Sequence, residues 1–425
     1  MNSSRKTALR NTCILRTPSE VLNRAFEYAK DNIARCMRYY SLGWGMSNAP
    51  HAYTTVVGRD TGWMTVGADY CAPWFTAEAL RVFKDRQRVD GAILEYVDLE
   101  SGAWDDYGLN VADNTPLYIW AVCHHWNQFE NAAFRAEFAP SVARAARQLQ
   151  GEIGTYGLIW AHPKGTGPLG ICSWRNIIEG YVLGGAVTEI NSLSAMALRM
   201  AGEFLDEPEL RAAGDSLAAA INDRLWSGSA YYLTLTEGGP ISQVTGDTVF
   251  PVWCGVARAG HARQVLQRLK APDFWNAGGL RTVPDTDPAW APAKDFGLRG
   301  GGWPNLTLWY AEAVAKHDPD AALRALEMVA APVVSGRSSA NINQGEFPEW
   351  FDGRTGYNGG MPLSPWVAPT FIWALLEGLL GLQWQGGQAH FQPHWPAGWD
   401  EVTLEQVPCA AGNADFVLQR ETNRM

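Results

Sequence analysis

The sequence has few charged residues and no long apolar run. Only 18% of its 425 residues are Asp, Glu, Lys or Arg, whereas 47% are hydrophobic. Nowhere do about eighteen apolar residues run together, as a membrane-spanning helix requires. The amino terminus also has no apolar segment of the signal-peptide type. These absences predict a cytoplasmic protein without a membrane partner, with ample material for a buried core.

Clustered basic residues and paired cysteines are also lacking. Lys and Arg total 34 against 44 acidic residues, and the net charge is −10. Apart from a short stretch with Arg5, Lys6 and Arg10, no basic cluster occurs, which excludes nucleic acid as a partner. The seven cysteines are scattered, odd in number and without a CxxC pair. This usage is typical of a reducing compartment.

No motif for a metal or a cofactor stands out. His390 and His394 are four residues apart, but Pro393 between them prevents the helix that would bring both imidazoles to one face. The glycines at 300–302 lack the strand and helix that surround a phosphate-binding loop. We therefore expect no metal and no cofactor.

Tryptophan is abundant, and two segments place acids between aromatic rings. The chain has 20 Trp, many of them beside Gly, Pro, Asp or Asn. Residues 345–356 read GEFPEWFDGRTG, and residues 104–116 read WDDYGLNVADNTP. Both contain Pro or Gly and cannot be regular helix throughout. Rings offer apolar faces to a sugar, and carboxylates bind hydroxyls and transfer protons. The alternative is a pair of surface turns with solvated acids.

Helix-period segments dominate the chain, with long Gly-, Trp- and Pro-rich connections between them. About a dozen helices with such loops predict an all-α fold, an (α/α)6 barrel over residues 1–382. From 383 to 425 the pattern alternates as in strands, which predicts a small β appendage. An armadillo-like solenoid is the alternative, but it would show a repeat of about 40 residues. The predicted helices are 19–40, 76–88, 115–129, 141–152, 189–204, 207–226, 262–269, 306–317, 319–331 and 369–380.

The segment around Asp113 resembles a motif of known glycosidases. Residues 112–116, ADNTP, look like the segment that carries the general acid in the inverting α-glycosidases of glycoside hydrolase family 63. On spacing alone, Asp113 could instead be an ordinary acid at a helix N-terminus. Residues 349–356 are similar to the motif that carries the base in that family, with Asp352 where Asn is usual. They also resemble the matching segment of neutral and alkaline invertases.

Two further segments extend this resemblance across residues 50–380. GWPNL at 302–306 resembles the Trp-Pro segment before a barrel helix in these groups and in amylo-1,6-glucosidases. TEIN at 188–191 resembles their acid-x-Asn helix start. Two features differ from family 63. Residues 58–63, GRDTGW, are closer to debranching-type glucosidases, and the large N-terminal β-domain of longer relatives is missing.

The resemblance implies an inverting mechanism with two carboxyls. Asp113 would protonate the leaving oxygen, and Glu349 would activate a water on the opposite face of the sugar. Glu346 competes with Glu349 for the role of base. Trp63 and Trp303 could equally be core residues, and Arg59 with Asp60 could form an internal ion pair. The candidate sugar contacts are Arg59, Asp60, Trp63, Trp174, Arg175, Asn176, Glu189, Asn191, Trp303, Asn305, Glu346 and Trp350.

The leading functional hypothesis is therefore an exo-acting, inverting glycoside hydrolase whose substrate is a small α-glycoside, above all an α-glucoside. A phosphorylase on the same barrel would need a cation for phosphate, with Arg354 or Arg299 available. An isomerase would need paired His residues at the barrel mouth. A non-catalytic sugar-binding protein is a third alternative.

Overall fold

The computed structural model describes residues 9, 11–47, 53–162, 172–175 and 183–421. Twelve α-helices lie within these ranges, which confirms the helix-rich prediction. In chain order they are α1 Glu20–Cys36, α2 Gly58–Ala68, α3 Pro73–Lys84, α4 Asn114–Phe129, α5 Ala132–Gly151, α6 Thr188–Leu205, α7 Pro208–Arg224, α8 Phe250–Trp253, α9 Ala259–Leu269, α10 Pro304–Ala315, α11 Pro319–Ser335 and α12 Val367–Trp373.

The even-numbered helices contact one another in a closed cycle. Helix α2 packs on α4, α4 on α6, α6 on α8, α8 on α10, and α10 on α12, which in turn packs on α2. Odd-numbered helices pack against them and against each other, as α1 does on α11 and α12. Helix α12 continues as a π-helical turn over Ala374–Leu379.

Five of the six helices in this cycle contribute a tryptophan to one aromatic cluster. Trp63 of α2 lies with its ring centroid 4.8–5.9 Å from those of Trp120, Trp253, Trp309 and Trp373. Each of these side chains is at most 9% exposed. Edge-to-face and tilted contacts at this spacing are favourable beyond the apolar area that they bury. The cluster therefore joins five of the six helices of the cycle through direct ring contacts.

Helices α1, α2 and α8 depart from the predicted pattern. Helix α2 was not predicted, because its residues are all buried and its sequence, GRDTGWMTVGA, has no polar face to reveal a helical period. Helix α8 has only four residues. Helix α1 ends at Cys36 rather than at 40, because residues Met37–Tyr40 form a strand.

Strands are short and occur along the whole chain, not only after residue 382. In chain order they are β1 Ile14–Arg16, β2 Met37–Tyr40, β3 Gly43–Met46, β4 Thr55–Val57, β5 Tyr96–Asp98, β6 Trp104–Asp105, β7 Ala186–Val187, β8 Thr234–Thr236, β9 Gly239–Ile241, β10 Trp275–Asn276, β11 Gly279–Leu280, β12 Leu382–Gln385, β13 Gln388–Phe391, β14 Glu401–Cys409 and β15 Gly412–Gln419. The four C-terminal strands lie in the region predicted to be β. Strands β12 and β13 form a sheet of their own, and β1 joins the sheet of the last two strands in the order β1-β14-β15. The domain boundary at 382/383 stays a prediction.

Of the helices in the described ranges, none is both long and apolar enough to cross a lipid bilayer. All seven cysteines are in the described part of the chain, and all are free thiols.

A buried ion network connects the C-terminal ends of α2, α4 and α12. The His124 imidazole lies between two carboxylates, with Nδ1 3.0 Å from Asp69 and Nε2 2.6 Å from Glu377. His125 Nδ1 is 2.7 Å from the other Asp69 oxygen. Burial lowers the pKa of His124, but Glu377 and Asp69 outweigh it and raise the pKa to about 10. The imidazolium form is therefore part of the folded state at neutral pH.

Replacing His124 with Phe should lower the free energy of unfolding at pH 7 by about 3–5 kcal/mol, because two carboxylates lose their shared partner. The stabilisation by wild-type His124 should be complete below its unfolded pKa of about 6.5 and disappear as the pH rises through about 10. Urea unfolding at pH 7 and above pH 10 measures both effects. His162→Phe, at an exposed position, is the control. A variant as stable as wild type at pH 7 would contradict this account.

Candidate active site

Several residues predicted from the sequence lie at the N-terminal ends of the even-numbered helices. Arg59 and Asp60 are in the first turn of α2, and Asp113 is the N-cap residue of α4. Glu189 is in the first turn of α6, and Trp303 is the N-cap residue of α10. Helix N-termini carry partial positive charge and favour nearby carboxylates. One end of the helical ring thus gathers acids and indoles.

Asp113 is held by an arginine that it shares with a second acid. Arg59 Nε donates to both Asp113 oxygens, at 3.0 and 2.8 Å. Its two terminal nitrogens donate to Glu95, Nη1 to Oε1 at 2.5 Å and Nη2 to Oε2 at 2.9 Å. Asn114 Nδ2 also donates to Glu95, at 2.8 Å. Burial raises the pKa of Asp113 to about 6, although Arg59 opposes the shift.

These bonds occupy the Arg59 guanidinium group. Its guanidinium group was a candidate sugar contact or the partner of Asp60, but its described hydrogen bonds go to Asp113 and Glu95. A sugar hydroxyl would have to replace one of these charge-assisted bonds, which are stronger than bonds to a neutral group. Arg59 thus bridges two buried carboxyls, and its contact with a sugar stays a prediction.

A second group of acids lies next to Asp113, around residues 172–175. The Asp113 N–H donates to the Cys172 carbonyl, at 3.1 Å. The Ser173 hydroxyl and the Trp174 N–H donate to Glu189, at 2.5 and 3.3 Å. Glu189 is 2% exposed, and burial, with the nearby charges of Asp113 and Asp247, raises its pKa well above the usual value. Burial therefore favours the protonated form of Glu189.

Asp247 extends this group toward the next helix. It lies just before α8 and accepts from the Trp174 indole, at 2.8 Å. Arg175 lies 2.5 Å from its other oxygen. Arg175 and Asp247 are 1% and 4% exposed, so this ion pair is buried and fixes the segment that carries Trp174.

Indoles line the side of the site next to α10 and α12. The Trp174 ring lies 5.2 Å from that of Trp303, which lies 6.0 Å from that of Trp366. The indole N–H group of Trp303 is buried and has no hydrogen-bond partner among the described residues. Neither amide atom of Asn305, which is fully buried, has one there. Unpaired buried donors and acceptors of this kind suit the hydroxyls of a small polar ligand.

Glu349 lies beside one of these indoles, that of Trp366. Its N–H donates to the Met361 carbonyl, at 3.0 Å, and its side chain is partly exposed. Burial among its neighbours raises the pKa of Glu349 to about 7, and the nearby charge of Asp60 adds to this rise. Hydrogen bonds from the Met361 N–H and from Trp366 oppose it. Trp350, the next residue, packs over Gly297 and Gly359.

Glu346 points elsewhere. Its carboxylate forms an ion pair with Arg35 of the outer helix α1 and accepts from Asn343, at 2.8 Å. The preceding Gly345 lies against Tyr28 of the same helix. This geometry favours Glu349 over Glu346 as the base.

Two other predicted contacts, Trp63 and Asn191, have different surroundings. Trp63 is 1% exposed within the tryptophan cluster. The Asn191 side chain bonds to the backbone of Ile159 in both directions, at 2.8 and 2.9 Å, which is a structural role. Asn176 lies outside the described residues.

Three residues of the site, Glu95, Asp247 and Trp366, were not predicted from the sequence. Asp247 precedes an even-numbered helix, as Asp113 does, but α8 is too short to show a helical period. Trp366 is the N-cap residue of α12, as Trp303 is of α10. The sequence signal available for Trp366 was therefore a tryptophan directly before a buried helix. Glu95 follows no such pattern.

Comparison with known proteins identifies a family. The model of the mannosylglycerate hydrolase MGH1-like glycoside hydrolase domain matches residues 53–390. Among solved structures, a family 63 mannosylglycerate hydrolase from Thermus thermophilus in complex with glucose superposes with a TM-score of 0.64. The identity is 16%, over 81% of this chain and 98% of the other.

Two longer proteins share the fold. A sialidase superposes with a TM-score of 0.74 at 15% identity, over all of this chain and 40% of its own. A family 78 rhamnosidase of Bacillus sp. GL1 has a TM-score of 0.65 at 18% identity, over 94% of this chain and 39% of its own. This chain thus spans about two fifths of each of them. No curated protein matches the sequence.

Proposed function

The chain belongs to the family of mannosylglycerate hydrolase MGH1-like glycoside hydrolases, and from this premise we propose that it is an exo-acting, inverting hydrolase of a small α-glycoside, most directly an α-glucoside. The observation that carries the proposal is the connected set of buried carboxyls and indoles at one end of the helical ring. We assign the closed cycle of paired helices to an (α/α)6 barrel, whose mouth would be this end.

In the proposed reaction, Asp113 gives its proton to the glycosidic oxygen while the bond to the anomeric carbon breaks. Glu349 takes a proton from a water that attacks this carbon from the opposite face, and the configuration inverts. The productive form needs Asp113 protonated and Glu349 ionised. Since their pKa values are raised to about 6 and about 7, this form is most populated between these two values.

The described surroundings support water over phosphate as the nucleophile. The Arg354 guanidinium lies 4.6 Å from the centroid of the Trp290 ring. Arg299 forms an ion pair with Asp295, at 2.7 Å. Both cations considered for a phosphorylase thus have other contacts. The adjacent His124 and His125 are at the far end of α4 from Asp113, which disfavours an isomerase with a histidine pair at the mouth.

A second substrate follows from the family name. Mannosylglycerate, an α-mannoside of a small acid, is what the family's model is named for. It differs from an α-glucoside in one hydroxyl configuration and in its anionic leaving group, so both belong in one substrate panel.

Proton NMR of the first product anomer tests the proposal. We expect the β-anomer to appear first from an α-disaccharide of glucose or from mannosylglycerate, with the same rate in the presence and absence of phosphate. First appearance of the α-anomer would show retention. A sugar 1-phosphate, formed only when phosphate is added, would show a phosphorylase. Absence of turnover across the panel would favour a binding protein.

A further inference from the structure

We propose that Glu95 is a positioning residue that keeps the Asp113 carboxyl able to carry a proton, by binding two of the three guanidinium nitrogens of Arg59. The inference rests on the role of general acid proposed above for Asp113. An acid that had Arg59 to itself would be held as a carboxylate and could not donate.

The bonding pattern supports this division. Arg59 supplies one positive charge to two carboxyl groups, through Nε to Asp113 and through both terminal nitrogens to Glu95. All three side chains are at most 4% exposed, so water does not solvate the unbalanced charge. Two carboxylates and one guanidinium leave an excess negative charge, and burying it is costly unless one acid takes a proton.

The number of hydrogen-bond donors around each carboxyl determines which of the two acids takes the proton. Glu95 accepts from two guanidinium nitrogens and from Asn114. Among the described residues, Asp113 accepts from a single side-chain nitrogen, Arg59 Nε. Hydrogen bonds to a carboxylate stabilise its ionised form. The ionised form of Glu95 is therefore stabilised more than that of Asp113, and Asp113 takes the proton.

Burial favours the neutral forms of the other titratable groups near Asp113. Burial raises the pKa of Glu189 well above its usual value, with the charge of Asp113 adding to it. Burial also raises the pKa of the Cys172 thiol and that of the Tyr107 hydroxyl, far above neutrality. Asp60, next to Arg59 on α2, acts on Glu349. Of the groups that act on Asp113, Arg59 and Glu95 therefore carry the opposing charges.

The test is the pH dependence of kcat/KM in Glu95→Gln. With the charge of Glu95 removed, Arg59 acts on Asp113 alone and lowers its proton affinity. The alkaline limb of the profile should then lie at lower pH. On that limb, kcat/KM should fall about tenfold for each pH unit by which the limb moves, because the fraction of protonated Asp113 falls in that proportion. The acid limb, where Asp113 is protonated in both enzymes, should not change. Asn114→Ala, which removes a donor from Glu95, should have the same effect to a smaller extent.

Glu137→Gln is the matched control. Glu137 accepts from Arg81 Nε and Nη2, at 2.7 and 2.9 Å, between the outer helices α3 and α5. Glu137 thus also accepts from two nitrogens of one arginine but lies away from the site, so the profile of Glu137→Gln should match wild type.

A structural role alone would lower kcat/KM by one factor at every pH, and that result, or an unchanged profile, would overturn the inference. If Glu95→Gln does not fold but Asn114→Ala does, the pH profile of Asn114→Ala is judged by the same criterion. If Asp113→Asn leaves hydrolysis intact, the acid itself is misassigned and both proposals fall. If Asp113→Asn impairs hydrolysis while both other profiles match wild type, only the role of Glu95 is lost.

Discussion

Glu349→Gln is expected to lower kcat by about 10²–10⁴-fold with little change in KM, because the amide cannot take a proton from the attacking water. The isosteric side chain keeps the backbone bond to Met361 and the contacts beside Trp366. Azide should restore turnover in Glu349→Ala, since this anion needs no base and fits the space that the carboxylate leaves.

Glu346→Gln is the control for this change, only three residues away. Its carboxylate bonds to Arg35 and Asn343, so we expect no more than a few-fold loss in kcat, with a modest loss of stability. Steady-state kinetics on one disaccharide would measure both variants. A severe loss in Glu346→Gln with a mild one in Glu349→Gln would assign the base to Glu346.

Asp113→Asn should nearly abolish hydrolysis of a disaccharide and affect a glycosyl fluoride far less. The fluoride leaves without full protonation, whereas a sugar alcohol needs a proton in the transition state. The expected loss on the disaccharide is about 10²–10⁴-fold, and the ratio of the two losses is the diagnostic quantity. Circular dichroism should show an unchanged fold.

Two neighbouring acids serve as comparisons for Asp113. Asp60 is 7% exposed and Glu189 2% exposed, and both lie at the same end of the helical ring. Asp60→Asn and Glu189→Gln should lower kcat/KM on both substrates to a similar extent, as the loss of a binding or positioning group does. If the leaving-group dependence appeared in Asp60→Asn instead, that residue would be the acid and Asp113 would serve to hold Arg59.

Local patterns in the sequence determined the helix-rich class and the two acid-bearing segments. Amphipathic helices such as α1 and α9 show a 3.6-residue period, because one face is buried and the other is solvated. The motif around Glu349 resembled glycosidases of family 63, and the match of residues 53–390 to a glycoside hydrolase family agrees with it.

Tertiary contacts decided what these residues touch. Helix α2 is buried on every side and so left no periodic signal, yet it supplies Arg59 and Asp60. Glu95 is 36 residues from Arg59 in sequence, and no local rule pairs them. Glu346 and Glu349 lie in one loop, but only the packing against α1 sends Glu346 to Arg35. A hydrophobic period in the sequence indicates which face of a helix or strand is buried. It does not indicate which carboxyl shares a guanidinium group, because that depends on segments that the fold brings together from distant positions in the chain.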